Sequence, residues 1–229
     1  MTATYGKNWN PADHYKDDTI ARGYDRKRFR GLSGRLFNAL EKRLIRRAFA
    51  GLAPGSVIGD VPCGTGRLAE VLLDSGFFVV GIDISPHMLA AARDRLGRFG
   101  ERFRDATSDA KALASTGHRF DAALCARVLM HFPLPEQIAF LRGVAAVTDG
   151  RLVLTQGVDT AWHRVRRWLK RGLPLQRPAV FPLSPADLRQ LIEAAGLREI
   201  TRYRVLPILS ESLVIVTEKM PPAGAAGGD

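Results

Sequence analysis

A glycine-rich turn between an apolar strand and a helix is the feature that most constrains this chain. Residues 57–66 read V-I-G-D-V-P-C-G-T-G, and Asp83 follows nineteen residues after Gly64 in V-V-G-I-D-I-S. Such a turn exposes backbone N–H groups at the N-terminus of the following helix, which favours an anionic or strongly accepting ligand. A carboxylate at the end of the second strand can accept both hydroxyl protons of a ribose. This order of elements predicts a nucleoside-binding βαβ unit.

The residues around the turn indicate which nucleoside it binds. Gly64, Gly66 and Ala69 also satisfy the G-x-G-x-x-[GA] pattern of dinucleotide folds, so an NAD-dependent oxidoreductase stays open as an alternative. Asp60, however, stands ahead of the glycines. A negative charge there would repel a pyrophosphate, whereas it would attract the cationic group of an amino acid. Behind Asp83, the segment S-P-H-M-L begins a helix with proline at its first turn and brings apolar side chains next to the base.

Two further segments complete a recognisable order of motifs. S-D-A at 108–110 precedes Phe120-Asp121, and C-A-R-V-L-M-H-F follows at 125–132. The whole order resembles the class I S-adenosylmethionine (SAM) dependent methyltransferases, from the glycine motif to the strand near Leu154 and more loosely to the C-terminus. The resemblance implies an α/β, Rossmann-like sheet of seven strands, mostly parallel with the last strand antiparallel. It also implies an enzyme whose cofactor is SAM.

The family's cofactor contacts can be carried over to matching positions. The glycine motif would hold the amino-acid end of SAM, Asp83 the ribose, and Asp109 with Ala110 the adenine. Two positions depart from the family pattern, because Pro62 and Ser108 each stand where a glycine is usual; Pro62 fixes φ and removes one N–H donor. The cofactor-binding residues implied in or near these motifs are Asp60, Pro62, Cys63, Gly64, Gly66, Asp83, Ile84, Met88, Asp109, Ala110 and Cys125.

The catalytic candidates lie on the substrate side of the sheet. His131 follows the fourth strand, where the family often has a histidine; it is either a base that deprotonates a hydroxyl or a packing residue. Arg127 could receive an acidic group of the substrate. The segments at 14–18 and 21–29 resemble the lead-in that folds over SAM in small-molecule methyltransferases. By that resemblance Tyr24 would stack near the methyl site and Arg28 would bind the methionine carboxylate of SAM, or both would belong to a solvated arm.

Apolar spacing and turn residues predict the remaining organisation. A helix over 34–50, capped by Ser33, forms an N-terminal helical lid with the residues before it, at 1–50. The methyltransferase domain then spans 51–219 and carries a basic insertion at 157–183. The 220–229 tail, M-P-P-A-G-A-A-G-G-D, has little to bury and is expected to be disordered.

The positive charge is concentrated in two segments. Of the formal net charge of +11, residues 1–50 hold twelve Lys or Arg against five Asp or Glu, and residues 157–183 hold six against one. A helix at 160–171 with Trp162 and Trp168 on one face would suit an anionic membrane surface or an amphiphilic substrate, or would only be a solvated face. Nucleic acid is disfavoured as a substrate, because no [ND]-P-P-[YF] segment follows the fourth strand to grip a flipped base.

The cysteines and the apolar runs of the sequence indicate where in the cell the protein is expected. Cys63 and Cys125 are the only cysteines, each expected in a ligand-facing loop without metal-type spacing, so both are interpreted as free thiols and no metal is expected. No run of eighteen apolar residues and no secretory leader stands in the sequence, which favours a cytoplasmic protein with at most peripheral contact at the inner membrane. The oligomeric state is not indicated.

Together these observations predict a SAM-dependent methyltransferase that acts on O or N of a small or lipid-like, anionic molecule. The alternatives are an RNA methyltransferase, an NAD-dependent oxidoreductase and a non-enzymatic module with the same fold.

Overall fold

The computed structural model describes residues 31–159, 181, 183–206 and 210–220, in which seven strands alternate with helices. The strands are β1 (Val57–Asp60), β2 (Phe78–Asp83), β3 (Phe103–Thr107), β4 (Ala122–Cys125), β5 (Arg151–Gly157), β6 (Leu197–Arg204) and β7 (Ser212–Lys219). The helices are α1 (Gly31–Ala48), α2 (Ala69–Asp74), α3 (Pro86–Leu96), α4 (Leu134–Ala146) and α5 (Pro185–Ala194). Short 3₁₀ turns lie at Gly97–Arg102, Ala110–Ser115 and Leu129–His131.

All seven strands form one sheet in the order β3-β2-β1-β4-β5-β7-β6. The strands from β3 to β5 pair in parallel, and β7 pairs antiparallel with both β5 and β6. The predicted sheet is therefore confirmed, including its antiparallel last strand. The strand order reverses between β1 and β4, and ligands of open α/β sheets bind at such a point, outside the carboxyl ends of the strands.

Helices cover both faces of the sheet. On one face, Ile45 of α1 and Leu72 of α2 pack with strand residues such as Leu124 in one apolar cluster. On the other, Leu141 of α4 and Leu191 of α5 pack in a second cluster. The central strand β4 is buried along its whole length, as expected for a strand covered on both sides.

Local sequence signals set several helix starts. The Ser85 hydroxyl accepts from the Met88 N–H at 3.4 Å ahead of α3. At α5, Ser184 and Asp187 form a reciprocal capping box with Pro185 in the first turn. Both helices begin where a cap satisfies N–H groups that have no partner within the helix.

Two helices differ from their predicted bounds. The described part of α1 begins at Gly31, so Ser33 lies inside the helix rather than capping it. The helix expected directly behind the glycine turn begins only at Ala69, because Gly64 and Gly66 adopt φ of 52° and 73°, which no right-handed helix accommodates. The glycine turn is longer than the sequence predicted, and α2 is correspondingly shorter.

Several predictions lie outside the described residues. These include the first thirty residues of the helical lid, nearly all of the basic insertion with its tryptophan helix, and residues 221–229 of the tail. Of the lid, the structure describes α1. Among the described helices, none has both the length and the apolar character needed to span a membrane.

Candidate functional site

A cavity of about 410 Å³ opens at the carboxyl ends of β1, β2 and β4, where the strand order reverses. Most of the predicted site residues that the structure describes line it: Asp60, Pro62, Cys63, Gly64, Asp83, Ile84, Met88, Asp109, Ala110, Arg127 and His131. Segments separated by up to seventy residues thus meet at one site, because parallel strands deliver their ends to the same edge of the sheet. The volume lies within the range of small-molecule sites.

Asp60 brings a buried carboxylate to the floor of this cavity. It ends β1 with 1% of its surface exposed, and its Oδ2 atom has no hydrogen-bond partner among the described residues. Burial raises the pKa of Asp60 to about 8, the Arg67 guanidinium opposes this rise, and the Asp83 carboxylate adds to it. A buried carboxylate oxygen without a donor suits a cationic group of a ligand.

Asp83 is held by the glycine turn and by the start of the next helix. Its Oδ2 accepts from the Gly64 N–H at 2.9 Å, and its Oδ1 accepts from the Ser85 N–H at 2.9 Å. Burial raises the pKa of Asp83, while these backbone donors oppose the rise. The carboxylate is thus oriented by backbone donors at the edge of the cavity, where it can accept hydroxyl protons of a ribose.

The two glycines of the turn have different roles. Gly64 lines the cavity at φ 52°, and a Cβ there would meet no other atom within 4 Å, so it would project into open space. Gly66 is not among the lining residues. A Cβ on Gly66 would lie 2.7 Å from Leu96 Cδ1, so its missing side chain lets α3 pack closely. Gly66 therefore shapes the turn through packing, and its contact with the cofactor stays a prediction.

The predicted adenine segment forms one wall of the cavity. The Asp109 Oδ1 accepts from the Lys111 N–H at 2.9 Å and begins the 3₁₀ turn, which buries Ala110. Lys111 Nζ then reaches Glu136 Oε2 at 3.1 Å, at the start of α4. This ion pair, not anticipated from the sequence, joins the adenine segment to α4 at the rim of the cavity.

Arg127 and His131 form the opposite wall. Arg127 adopts a left-handed backbone with φ 63°, and its N–H donates to the Thr155 hydroxyl at 2.8 Å. Its guanidinium lies 5.3 Å from the centre of the Phe37 ring of α1. His131 ends the 3₁₀ turn Leu129–His131, is buried, and faces the same cavity.

Sequence reasoning missed the contribution of α1. Glu41 is 1% exposed, and its carboxylate accepts from Arg67 Nη2 at 2.6 Å and from Arg127 Nη1 at 3.1 Å. Arg67, which also lines the cavity, was missed as well. The other lining residues not predicted are Val61, Thr65, Leu68, Ile82, Ser108, Lys111, Ala126, Val128, Phe132, Glu136 and Phe140.

The expectation that Cys125 lies in a ligand-facing loop is wrong, because Cys125 ends β4, is fully buried in the core and does not line the cavity. Its contact with the cofactor stays a prediction. Cys63 does line the cavity, and burial raises the pKa of its thiol, which is therefore neutral. Tyr24 and Arg28 lie outside the described residues, and their roles stay predictions. Within the described ranges, no group of three His, Cys, Asp or Glu could hold a metal ion.

Comparisons with known proteins agree with this architecture. A family model described as a methyltransferase domain matches residues 58–150. The chain is 30% identical over 173 residues to a ubiquinone biosynthesis O-methyltransferase of Coxiella burnetii, covering 69% of this chain and 70% of that protein. It is 32% identical over 149 residues to a magnesium-protoporphyrin O-methyltransferase of Synechocystis sp., where the match spans 64% of each chain.

A solved structure supports the fold independently. The crystal structure of magnesium protoporphyrin IX methyltransferase from Synechocystis with bound SAH superposes with a TM-score of 0.70 at 24% identity, covering 89% of this chain and all of that one. At this identity the likeness shows the fold alone.

The described residues also fit the family's cofactor. The buried Asp60 Oδ2 without a donor matches the cationic amino group of SAM, and the oriented Asp83 carboxylate matches its ribose. The open space over Gly64 leaves room for the ligand backbone between them. Taken with the relatives, this geometry shows that the chain belongs to the class I SAM-dependent methyltransferases.

Proposed function

We propose that this protein transfers a methyl group from SAM to an oxygen or nitrogen of a small or lipid-like, anionic molecule. The observation that carries the proposal is Arg127, held at φ 63° on the wall of the cofactor cavity. Non-glycine residues adopt this backbone at a cost, and such outliers concentrate at functional sites. The two O-methyltransferases compared above are named for magnesium-protoporphyrin and for ubiquinone biosynthesis, which involve small molecules.

The charges at this wall favour an anionic acceptor. Two guanidinium groups, those of Arg67 and Arg127, line the cavity, and both bind the buried carboxylate of Glu41. The Arg127 side chain is 19% exposed, so a ligand in the cavity can reach its guanidinium. A guanidinium is suited to a carboxylate because it offers paired N–H donors in a planar fork.

The chemistry required of the protein is modest. Bound SAM supplies a sulfonium-activated methyl group. Asp60 and Asp83 hold the cofactor, and Arg127 orients the acceptor, so the two reactants are brought together in one cavity. A hydroxyl acceptor must also lose its proton, and His131 is the imidazole in position to accept it. An amine acceptor needs no such base if it arrives deprotonated.

Isotopically labelled SAM tests this function directly. The purified protein is incubated with magnesium-protoporphyrin, which bears carboxylates, with an uncharged prenylated catechol, or with total RNA, and the products are analysed by mass spectrometry. We expect transfer to a small acceptor. Transfer to RNA alone would replace the proposal by the nucleic-acid alternative. Titration with NADH, SAM and SAH provides the control for cofactor choice.

The preference for an anion has its own control. With a carboxylate-bearing acceptor, Arg127→Met is expected to raise KM by about tenfold or more, because a charge-assisted hydrogen bond is lost. Arg93→Met, which breaks the exposed pair with Asp105 away from the cavity, is expected to leave KM unchanged. An equal KM for Arg127→Met and the unaltered protein would contradict an anionic acceptor.

We also propose a cytoplasmic location with peripheral contact at the inner membrane. The outer face of α1 exposes Leu32 by 86% and Leu36 by 53%, and the basic residues Arg35, Arg43 and Arg46 are exposed around them. A helix face of this kind suits an anionic lipid surface. Flotation with phosphatidylglycerol vesicles at low salt tests it. The double variant Leu32→Ser/Leu36→Ser should lose binding, whereas Ile200→Ser on β6 should not, although Ile200 is 50% exposed, about as much as Leu36. Binding that neither change weakens would overturn this location.

A further inference from the structure

Strand β5 extends past its neighbour β4 at the carboxyl edge of the sheet. Cys125 and Leu154 are the last residues that pair between the two strands, and β5 continues beyond them with Thr155 and Gln156. Both of these side chains are buried. The chain that leaves β4 at this edge is the β4–α4 loop, residues 126–133, which supplies one wall of the cavity.

Thr155 holds the start of this loop. Its Oγ1 accepts from the backbone N–H of Arg127 at 2.8 Å, and Arg127 is the residue with φ 63°. A left-handed backbone is unfavourable for a residue that has a side chain, and a hydrogen bond to the backbone can offset a cost of this size. The Thr155 hydroxyl therefore helps to keep Arg127 in a conformation that such residues rarely adopt.

Two buried amide groups hold the end of the loop. Gln137 Nε2 of α4 donates to the Phe132 carbonyl at 2.8 Å, and Gln156 Nε2 donates to Gln137 Oε1 at 3.0 Å. A carbonyl can only accept, so it fixes the direction of both amides. Phe132 follows His131, the last residue of the 3₁₀ turn. The two amides therefore restrain the backbone next to His131.

The two β5 side chains lie on opposite faces of the sheet. Val153 of β5 belongs to the apolar cluster that includes α1, whereas Leu154 belongs to the cluster that includes α4. Because side chains alternate along a strand, Thr155 shares the face of Val153 and Gln156 shares the face of Leu154. The start and the end of the loop are thus restrained separately, one from each face.

Packing alone does not require an amide at position 156. Gln156 Oε1 is buried and has no hydrogen-bond partner among the described residues, and such an atom destabilises a fold. A leucine of similar size would avoid this penalty. What the amide contributes is its hydrogen bond to Gln137, which orients the second amide toward the loop.

We propose that Thr155 and Gln156 are positioning residues of the methyl-transfer site. Thr155 orients Arg127 toward the anionic group of the acceptor. Gln156, acting through Gln137, holds His131 where it can take the proton of a hydroxyl acceptor. The proposal rests on the proposed function of Arg127 and His131. It implies that two adjacent residues, neither of which lines the cavity, control different kinetic constants.

Protocatechuate, a catechol with a carboxylate, is the probe for Thr155, and catechol is its uncharged counterpart. Thr155→Val keeps the shape of the side chain and removes the hydroxyl. We expect KM for protocatechuate to rise about fivefold or more, with KM for catechol and SAH affinity changed less than twofold. Thr155→Ser retains the hydroxyl and should restore KM. Equal rises for both acceptors, or no restoration by serine, would overturn the role of Thr155.

Thr217→Val is the matched control. It also removes a buried hydroxyl from the sheet, one that donates to the Leu152 carbonyl at 2.7 Å on β5. Thr217 does not line the cavity. We expect this variant to leave both KM values within twofold. A rise for protocatechuate as large as that in Thr155→Val would mean that any loss of a buried hydroxyl suffices, which would also overturn the proposal.

Gln156→Leu tests the other end of the loop. Leucine leaves the Gln137 amide without its donor, so the backbone at His131 is less restrained. We expect kcat for catechol to fall about fivefold or more, while KM and SAH affinity stay within twofold. Added to His131→Gln, the same change should lower kcat no further. An unchanged kcat in Gln156→Leu, or an additional loss in the double variant, would overturn the role of Gln156.

Hydrogen exchange of backbone amides needs no acceptor and so separates this proposal from the proposed function. The Arg127 N–H should exchange about tenfold faster in Thr155→Val than in the unaltered protein or in Thr155→Ser. Unaltered exchange would refute positioning by Thr155, whatever the protein methylates. A KM for protocatechuate that rises in Arg127→Met but not in Thr155→Val would overturn this proposal alone. A KM that rises in neither would overturn the anionic acceptor on which it rests.

Discussion

The backbone N–H of Gly64 donates to Asp83 Oδ2 across 2.9 Å, which joins the glycine turn after β1 to the acid that ends β2. Ser85 donates to the other oxygen of the same carboxylate, also at 2.9 Å. The two motifs that seemed separate in the sequence are therefore one hydrogen-bonded unit. The turn orients the Asp83 carboxylate before a ligand binds, so binding costs little conformational entropy at this side chain.

This unit makes Asp83→Ala the most direct test of the cofactor site. The change removes two charge-assisted contacts to the ribose and leaves the Gly64 and Ser85 N–H groups without their acceptor. We expect SAH binding to weaken by about 2 to 3 kcal/mol in calorimetry. Asp105→Ala is the control, since Asp105 of β3 pairs with Arg93 of α3 and neither residue lines the cavity. Unaltered SAH affinity in Asp83→Ala would place the ribose elsewhere.

Gly143 links the packing of α4 to the adenine wall. A Cβ at this position would collide with the backbone carbonyl of Ala110. Gly143→Ala must therefore push apart α4 and the 3₁₀ turn that carries Asp109 and Ala110, which we expect to destabilise the fold by about 2 kcal/mol and to weaken SAH binding. Denaturant unfolding and SAH titration measure the two effects. Gly97→Ala, where an added Cβ meets no atom within 4 Å, should show neither.

Asp60 should make the stability of the ligand-free protein depend on pH. Burial raises its pKa to about 8, so the protonated carboxyl is favoured in the folded state. A group with a raised folded pKa contributes its full stability below the unfolded pKa of about 4, and that contribution is lost as pH rises toward 8. Asp60→Asn mimics the neutral form, so its free energy of unfolding should fall less steeply between pH 5 and 8, by up to about 1.4 kcal/mol for each pH unit. Denaturant unfolding from pH 5 to 8 provides the measurement, and equal declines in both proteins would contradict the assignment.

The fold and the cofactor side were predictable because their signals are local. The run V-I-G-D of β1 ends in Asp60, which lines the cavity. Helix α5 starts after Ser184, whose cap involves only the four residues 184–187. Asp60 and Asp83 meet because parallel neighbours carry their ends to one edge of the sheet. Such predictions need only the parallel pairing of the strands, which the order of the motifs indicated.

The substrate side was less predictable because its contacts are long-range. Glu41 stands among arginines on an amphipathic helix, where a charge usually faces solvent, and only the packing of α1 buries it against Arg67 and Arg127. Gly66 and Cys125 were predicted as cofactor contacts from the resemblance to the family. The close approach of α3 to Gly66 and the burial of the Cys125 side chain in the core depend on packing that no local pattern encodes.

His131 offers the sharpest test of the chemistry once an acceptor is known. It is buried in the cavity wall four residues beyond Arg127, where an imidazole can take the proton of a hydroxyl acceptor. For such an acceptor, His131→Gln should lower kcat by about 10² or more, because general base catalysis is lost, while SAH affinity stays within a few fold. His118→Gln is the matched control, since His118 stacks on Phe120 outside the cavity. A base role further requires that the acidic limb of the kcat profile against pH disappear in His131→Gln; a limb that persists would leave His131 as a packing residue.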